Sequence, residues 1–264
     1  MKVTLSLLIP YLLCLLLVFI FQRKILYFPQ TLSIEEQKQL AQELQLKLWP
    51  TEDDNYLALI SNKNLGQSKG TAIVFHGNAG STNGRVYFRD ALEKLGYRVI
   101  LAEYPGYGAK TGTPSEKTIL EEATRTVQQA IDDFGGPVFL WGESLGTGVV
   151  ASLASRQQFS VKGIALISPY DSLVNVAQYH YWFLLPKLLL LDRFNSTKNL
   201  QHFTGKVAVI MAGNDEVVPN SSTLKLFNSL QAPKKIWTFS DAEHNTLPFA
   251  PENSWWREVM TFLD

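Results

Sequence analysis

The sequence predicts an α/β fold, a mostly parallel β-sheet flanked by helices, and three observations carry that expectation. Short β-rich runs alternate with amphipathic helical stretches, several of the runs are almost wholly apolar, and a G-x-S-x-G pentapeptide stands where one run passes into a helix. Alternating strand and helix implies right-handed crossovers and parallel neighbours. Near-continuous apolar runs such as Ala72-Ile73-Val74-Phe75 suit strands covered on both faces.

The chain opens on Val3 to Phe21, 19 residues without a charge. At 1.5 Å per residue such a helix crosses roughly 28 Å, close to a bilayer core. A cleaved signal peptide would have a shorter apolar region, about 7–15 residues, and a small-residue cleavage site. No such site is present, and the large residues before Cys14 (Tyr11, Leu12, Leu13) argue against a lipoprotein site. Pro10 is compatible with a membrane helix. The expectation is an uncleaved single-pass transmembrane anchor over residues 1–24. Lys2 and the amino terminus flank one side, Arg23 and Lys24 the other, with Lys38 and Lys47 beyond. By a narrow margin this balance favours a cytoplasmic catalytic domain.

Residues 25–55 read as a linker holding a helix and the first strand region. Ser33-Ile34-Glu35-Glu36 has the form of a capping box, so a short helix starts there and runs to about Leu46. The remainder, 56–264, reads as the catalytic domain. Its strand candidates are Tyr56–Ser61, Thr71–His76, Arg98–Glu103, Val138–Trp141, Gly163–Ser168, Lys206–Ala212 and Lys235–Phe239. Its helix candidates are Arg85–Leu95, Ser115–Phe134, Leu145–Arg156, Ser221–Leu230 and Ser254–Leu263. The stretch 170–203 breaks the alternation with a long apolar, aromatic run, Tyr179 to Leu191. It reads either as a small lid over the active edge of the sheet or as ordinary core helix.

Composition narrows the function. Hydrophobic residues make up 46% and charged residues 18% of the 264, which predicts a packed globule. Basic and acidic side chains number 24 each, so no net charge points to nucleic acid or another polyanion as a partner. The single cysteine, Cys14, excludes an intrachain disulfide.

Gly142-Glu143-Ser144-Leu145-Gly146 supplies the chemistry. Small residues two before and two after the serine allow a sharp strand–turn–helix elbow, which lifts Ser144 above the sheet at a helix N-terminus. Val138–Trp141 before it and a helical run after it provide that context. A neutral serine hydroxyl needs a base. Of the four histidines, His244 in Asp241-Ala242-Glu243-His244-Asn245 follows the last strand candidate and is the choice. His76 ends an earlier strand, and His180 and His202 read as solvated or packed. Asp215, after the strand Lys206–Ala212, is the preferred acid, with Asp171 its rival and Glu216 a neighbour to be kept apart. Two backbone N–H donors should hold an oxyanion: Leu145, after the nucleophile, and Asn78 in His76-Gly77-Asn78-Ala79-Gly80, with Ala79 as second choice. Tyr104-Pro105-Gly106-Tyr107-Gly108 reads as a conformational turn with no catalytic role, and Glu143 as packing or hydrogen bonding beside the elbow.

Taken in order, His76–Gly80, Glu103–Gly108, Gly142–Gly146, Gly213–Pro219 and His244-Asn245 resemble the α/β-hydrolase superfamily, and within it the Bem-like membrane-anchored serine hydrolases, from roughly Leu57 to the C-terminus. The resemblance implies an α/β-hydrolase fold with an eight-stranded, mostly parallel sheet and the Ser144–His244–Asp215 triad. It implies no metal and no organic cofactor. Relatives in that group include thioesterases, and an apolar lid beside a bilayer points to an acyl chain, so the expectation is a serine hydrolase of the carboxylesterase or acyl-thioesterase type acting on a small-molecule or lipid-like acyl substrate. A serine peptidase on the same fold, or a non-catalytic membrane-tethered scaffold, are the competing readings. A serine at the elbow disfavours the related chemistries that use an aspartate nucleophile.

Overall fold

The structure, a computed structural model, describes residues 2–63, 67–156 and 158–264, with backbone alone for residues 2–7. The first residue of the expected anchor, and residues 64–66 and 157 of the expected catalytic domain, lie outside the described residues. Helix α1 (Lys2–Leu26) is followed by β1 (Phe28–Pro29), α2 (Ile34–Glu43), β2 (Leu46–Trp49), β3 (Ala58–Ser61), β4 (Thr71–Phe75) and β5 (Ala79–Gly80). Next come α3 (Val86–Lys94), β6 (Arg98–Ala102), α4 (Glu116–Phe134), β7 (Val138–Glu143), α5 (Leu145–Ala154) and β8 (Val161–Ile167). Three short helices, α6 (Leu173–Tyr181), α7 (Pro186–Leu189) and α8 (Ser196–Asn199), precede β9 (Lys206–Ala212), α9 (Asn220–Ser229), β10 (Lys234–Phe239) and α10 (Ser254–Leu263).

Eight strands form one sheet in the order β10-β9-β8-β7-β4-β6-β3-β2. The pairs from β10 to β6 are parallel, and β3 and β2 run antiparallel at one edge. This is the expected mixed, mostly parallel α/β-hydrolase sheet. The seven strands expected from sequence fall within two residues of their observed ends. In β4, Ile73 and Phe75 join one core with α4, α5 and α9, whereas Ala72 and Val74 join the other with α3 and α10. Alternate side chains of a strand leave on opposite faces, so covering both faces explains why the run is apolar throughout.

The linker helix starts as expected. Ser33 Oγ accepts from the Glu36 amide at 3.2 Å and Glu36 Oε2 accepts from the Ser33 amide at 2.8 Å. It ends at Glu43, short of Leu46, because Leu46 and Leu48 are buried in β2, which pairs with β3. Gln45, at φ 57°, turns the chain between them.

Within α1, Leu8–Leu26 has a mean hydropathy of 1.9, yet only Leu15 and Gln22 are buried among its described side chains. A core helix of this composition would be covered on most sides. Segment 170–203 divides. Tyr170, Phe194 and Leu200 are packed into the core, whereas Tyr179, Trp182, Phe183 and Leu188 are exposed. The exposed large apolar side chains of the expected 170–203 lid fall within 173–191, where Val176 still packs into the core.

Candidate active site

Ser144 sits between β7 and α5 with φ 51° and ψ −115°, a strained elbow conformation. Two glycines make that turn possible. A Cβ on Gly142 would lie 2.6 Å from Gly146 O, and one on Gly146 only 2.0 Å from Phe75 O. The helix can then approach both its own strand and β4.

His244 follows β10, and its Nε2 is 3.0 Å from Ser144 Oγ. Its Nδ1 is 2.9 Å from both oxygens of Asp215, which follows β9. Asp215 Oδ1 also accepts from the amides of Val217 at 3.0 Å and Val218 at 2.7 Å. Burial works against the charged carboxylate. The hydrogen bond and charge of His244, with the Val218 amide, outweigh it and hold the Asp215 carboxyl below the usual carboxylate range. Asp171, the rival acid, bonds instead to Ser222, Asn175 and Lys225, each at 2.6 Å. The structure thus aligns Ser144, His244 and Asp215 and places Asp171 in a separate cluster.

Asn78 and Leu145 line the same cavity as Ser144. The Leu145 amide opens the first turn of α5, where amides lack an intrahelical acceptor. The Asn78 side chain faces elsewhere: its Nδ2 donates to Leu26 O at 2.8 Å. The backbone around it is held from two sides. β1 pairs in parallel with β5, and the Phe28 amide donates to Asn78 O at 2.9 Å. From the other side Tyr107 Oη donates to Asn78 O at 2.6 Å, and Tyr104 Oη to His76 O at 2.8 Å.

Sequence reading missed this support. The turn Tyr104–Gly108 braces the loop before β5, and two buried tyrosines whose hydroxyls require partners were the available signal. His76 is buried, its Nδ1 2.8 Å from Gly77 O and its Nε2 3.0 Å from Glu103, which also accepts from Thr82. Glu143 accepts from Arg85 at 3.0 Å and Tyr87 at 2.6 Å, beside the elbow as expected. His180, read as solvated or packed, does more: it lines the cavity and its Nε2 is 2.9 Å from Val217 O, joining α6 to the Asp215 loop.

The cavity measures about 580 Å³, within the range of small-molecule sites. Its walls come from α1 (Phe19, Ile25), α6 (Leu173, Val176) and the α7 region (Leu189, Leu190). Apolar groups dominate, and Glu216 is the one Asp, Glu, Lys or Arg among the described lining residues.

Residues 72–201 match the family described as the alpha/beta hydrolase fold. An uncharacterized protein of Mycobacterium tuberculosis is 30% identical over 229 residues, spanning 85% of this chain and 80% of that protein. The chain belongs to the α/β-hydrolase superfamily. Another relative in that superfamily is the lysophosphatidylserine lipase ABHD12 of Bos taurus, 30% identical over 204 residues, 70% of this chain. The match covers 50% of the lipase, so the chain spans about half of that relative's length. Among solved structures, an esterase of Pyrococcus furiosus has a TM-score of 0.66 at 16% identity, covering 90% of this α/β-hydrolase and 97% of the esterase. A monoacylglycerol lipase of Paleococcus ferrophilus has a TM-score of 0.57 at 20% identity, covering 75% and 95%. At these identities the two structures speak for the fold.

Proposed function

We propose that this α/β-hydrolase is a single-pass membrane serine hydrolase of the Bem-like group, cleaving esters or thioesters that carry an acyl chain. The observation that carries the reading is the hydrogen-bonded line Ser144–His244–Asp215 opening into an apolar cavity of about 580 Å³. Ser144 Oγ attacks the substrate carbonyl carbon while His244 Nε2 takes its proton. Asp215 keeps the Nδ1 proton of His244 directed at itself and stabilises the imidazolium. The amides of Leu145 and Asn78 receive the negative oxygen of the tetrahedral intermediate. The imidazolium then protonates the leaving alkoxide or thiolate. Water, deprotonated by His244, attacks the acyl-enzyme, and the carboxylic acid leaves as Ser144 regains its proton.

Three features support the acyl chain as the recognised group. The cavity is apolar, the 173–191 segment acts as its cap, and a relative 30% identical is a lysophosphatidylserine lipase. No Lys or Arg among the described lining residues offers a counter-ion for a peptide carboxylate, which favours the ester reading over a carboxylate-directed peptidase. The exposed apolar helix α1 is the anchor, with the catalytic domain on the cytoplasmic side.

The test is covalent labelling of the full chain in detergent with a fluorophosphonate probe, mapped by mass spectrometry. An adduct on Ser144 that is absent from Ser144→Ala and His244→Ala establishes an activated nucleophile. Acyl esters and thioesters of rising chain length then define the substrate. A folded wild type that takes no label would return the tethered scaffold to first place.

A further inference from the structure

The apolar helix α1 and the 173–191 segment are joined in a way that water does not require. From Leu8 to Gln22 the only side chains of α1 carrying an oxygen or nitrogen are Tyr11 and Gln22. Both reach backbone groups of the cap, and Gln22 Nε2 also donates to Phe19 O within α1 at 2.9 Å. Tyr11 Oη donates to Phe183 O at 2.6 Å. Gln22 Nε2 donates to Leu189 O at 3.2 Å, and Gln22 Oε1 accepts from the Leu191 amide at 2.8 Å. Phe183 lies in the 3-10 turn Trp182–Leu184 that ends α6, just before the left-handed Leu185, and Leu191 follows α7. In water such groups are solvated at no cost. In hydrocarbon each must find a partner within the protein, and irregular backbone is tolerated only where it does.

Depth gives the same answer. Arg23, twelve residues on from Tyr11, bonds Asp192 at 3.1 Å at the polar end of this contact. Tyr27 Oη reaches the same carboxylate at 3.0 Å. From Arg23 to Tyr11 is about 18 Å along the helix axis, whereas one leaflet of a ~30 Å hydrocarbon core is about 15 Å thick. The cap therefore follows α1 through the thickness of a leaflet. Its outer surface fits that setting. Trp182 is 66% and Leu188 74% exposed, Tyr179 and Phe183 are exposed beside them, and Lys187 is the only charged residue between Asp171 and Asp192. Exposed aromatics and leucines of this density mark a lipid or protein interaction surface.

We infer that the 173–191 cap is embedded in one leaflet alongside α1, and that the cavity between them receives the acyl chain of a lipid directly from that leaflet. This rests on the reading of α1 as a membrane anchor. Phe19 and Ile25 are then both membrane-facing helix and pocket wall, which makes the anchor part of the substrate site.

Trp182 provides the test, because the other five tryptophans are buried. The full chain is placed in phosphatidylcholine vesicles, its integration checked by resistance to carbonate extraction, and the Trp182 emission isolated by subtracting the Trp182→Phe spectrum. Lipids brominated along the acyl chain should quench most of that emission, while aqueous acrylamide should have little effect. Quenching by acrylamide alone, in protein that resists carbonate, overturns the embedded cap and leaves the anchor standing. Shielding from both quenchers would place a second copy of the chain on this face and also overturn it. Release by carbonate overturns cap and anchor together. In a second arm, Leu188→Asp should lower hydrolysis of a vesicle-borne long-chain monoacylglycerol by about tenfold or more, with turnover of a short soluble ester unchanged. Equal loss on both substrates overturns the inference. Failure of Ser144 to take a fluorophosphonate would remove the hydrolase reading alone, since the quenching result does not depend on catalysis.

Discussion

The side-chain amide of Asn78 donates to Leu26 O at 2.8 Å, joining the last residue of α1 to the loop that precedes β5. Leu26 O is one of the carbonyls that a helix C-terminus leaves without an intrahelical partner. Asn78 thus caps the helix with its side chain while the residue itself lines the cavity that holds Ser144. Asn78→Ala keeps the amide and removes the cap. A loop displaced by about 1 Å can cost up to ~100-fold in rate, so Asn78→Ala should slow fluorophosphonate labelling of Ser144 by roughly ten- to a hundredfold. An unchanged labelling rate would show that the loop is held by Tyr107 and β1 without this bond.

The two aspartates should separate by kinetics. Asp215→Asn replaces the carboxylate that holds the Nδ1 proton of His244 with a neutral amide whose NH2 favours the wrong tautomer, a change that in a Ser-His-Asp site typically lowers kcat by about 10⁴. Asp171 makes its bonds to Ser222, Asn175 and Lys225 instead. Asp171→Asn should leave kcat within a few-fold and weaken the fold. Parallel ester turnover and thermal unfolding of both variants check this, and a collapse of kcat in Asp171→Asn with a stable fold would reverse the assignment.

Much of this architecture could be read from residues alone, and the misses share one cause. Ala72–Phe75 and Val138–Trp141 are short, apolar and bounded by glycine, so their local pattern agrees with their place in the sheet. The Ser144 elbow is equally local, because Gly142 and Gly146 lie within the pentapeptide. The pairing of Phe28–Pro29 with Ala79–Gly80 is not local: it joins a two-residue strand to a loop some fifty residues away, with no periodicity to betray it. The role of His180 depends on how α6 lies against the Asp215 loop, and the braces from Tyr104 and Tyr107 depend on where their hydroxyls reach. The 170–203 segment was legible as a break in the α/β alternation, but its division at Asp192 follows from Phe194 and Leu200 entering the core.

Asp171 also sets a pH dependence of stability. Burial opposes its charge, and hydrogen bonds from Lys225, Ser222 and Asn175 prevail, so its carboxyl is held below the usual range in the folded protein. A depressed folded-state value means stabilisation that is full above the unfolded value, about 3.9, and lost as pH falls from there through the folded value. The stability advantage of wild type over Asp171→Asn should hold steady from neutral pH to about pH 5 and shrink below about pH 4. Urea unfolding of the two proteins across this range reads the difference. A gap that stays constant down to the lowest pH would mean that the Asp171 charge contributes nothing to it.

Gly146 should be the least replaceable position near the elbow. A Cβ there meets Phe75 O at 2.0 Å, Phe75 C at 2.7 Å and His76 O at 2.8 Å, all backbone atoms that no rotamer change can move aside. Relief requires the N-terminus of α5 to leave β4, which shifts Ser144 away from the Asn78 loop. Overpacking of this kind costs about 3 kcal/mol, equivalent to a fall of roughly 6–12 °C in Tm for a chain of this size. Gly84 is the control, since a Cβ there meets nothing within 4 Å and Gly84→Ala should change stability by no more than about 0.5 kcal/mol. Thermal unfolding followed by circular dichroism compares the two. A Gly146→Ala protein as stable as Gly84→Ala, and labelled by fluorophosphonate at the wild-type rate, would mean that the helix does not need this close approach to hold the serine.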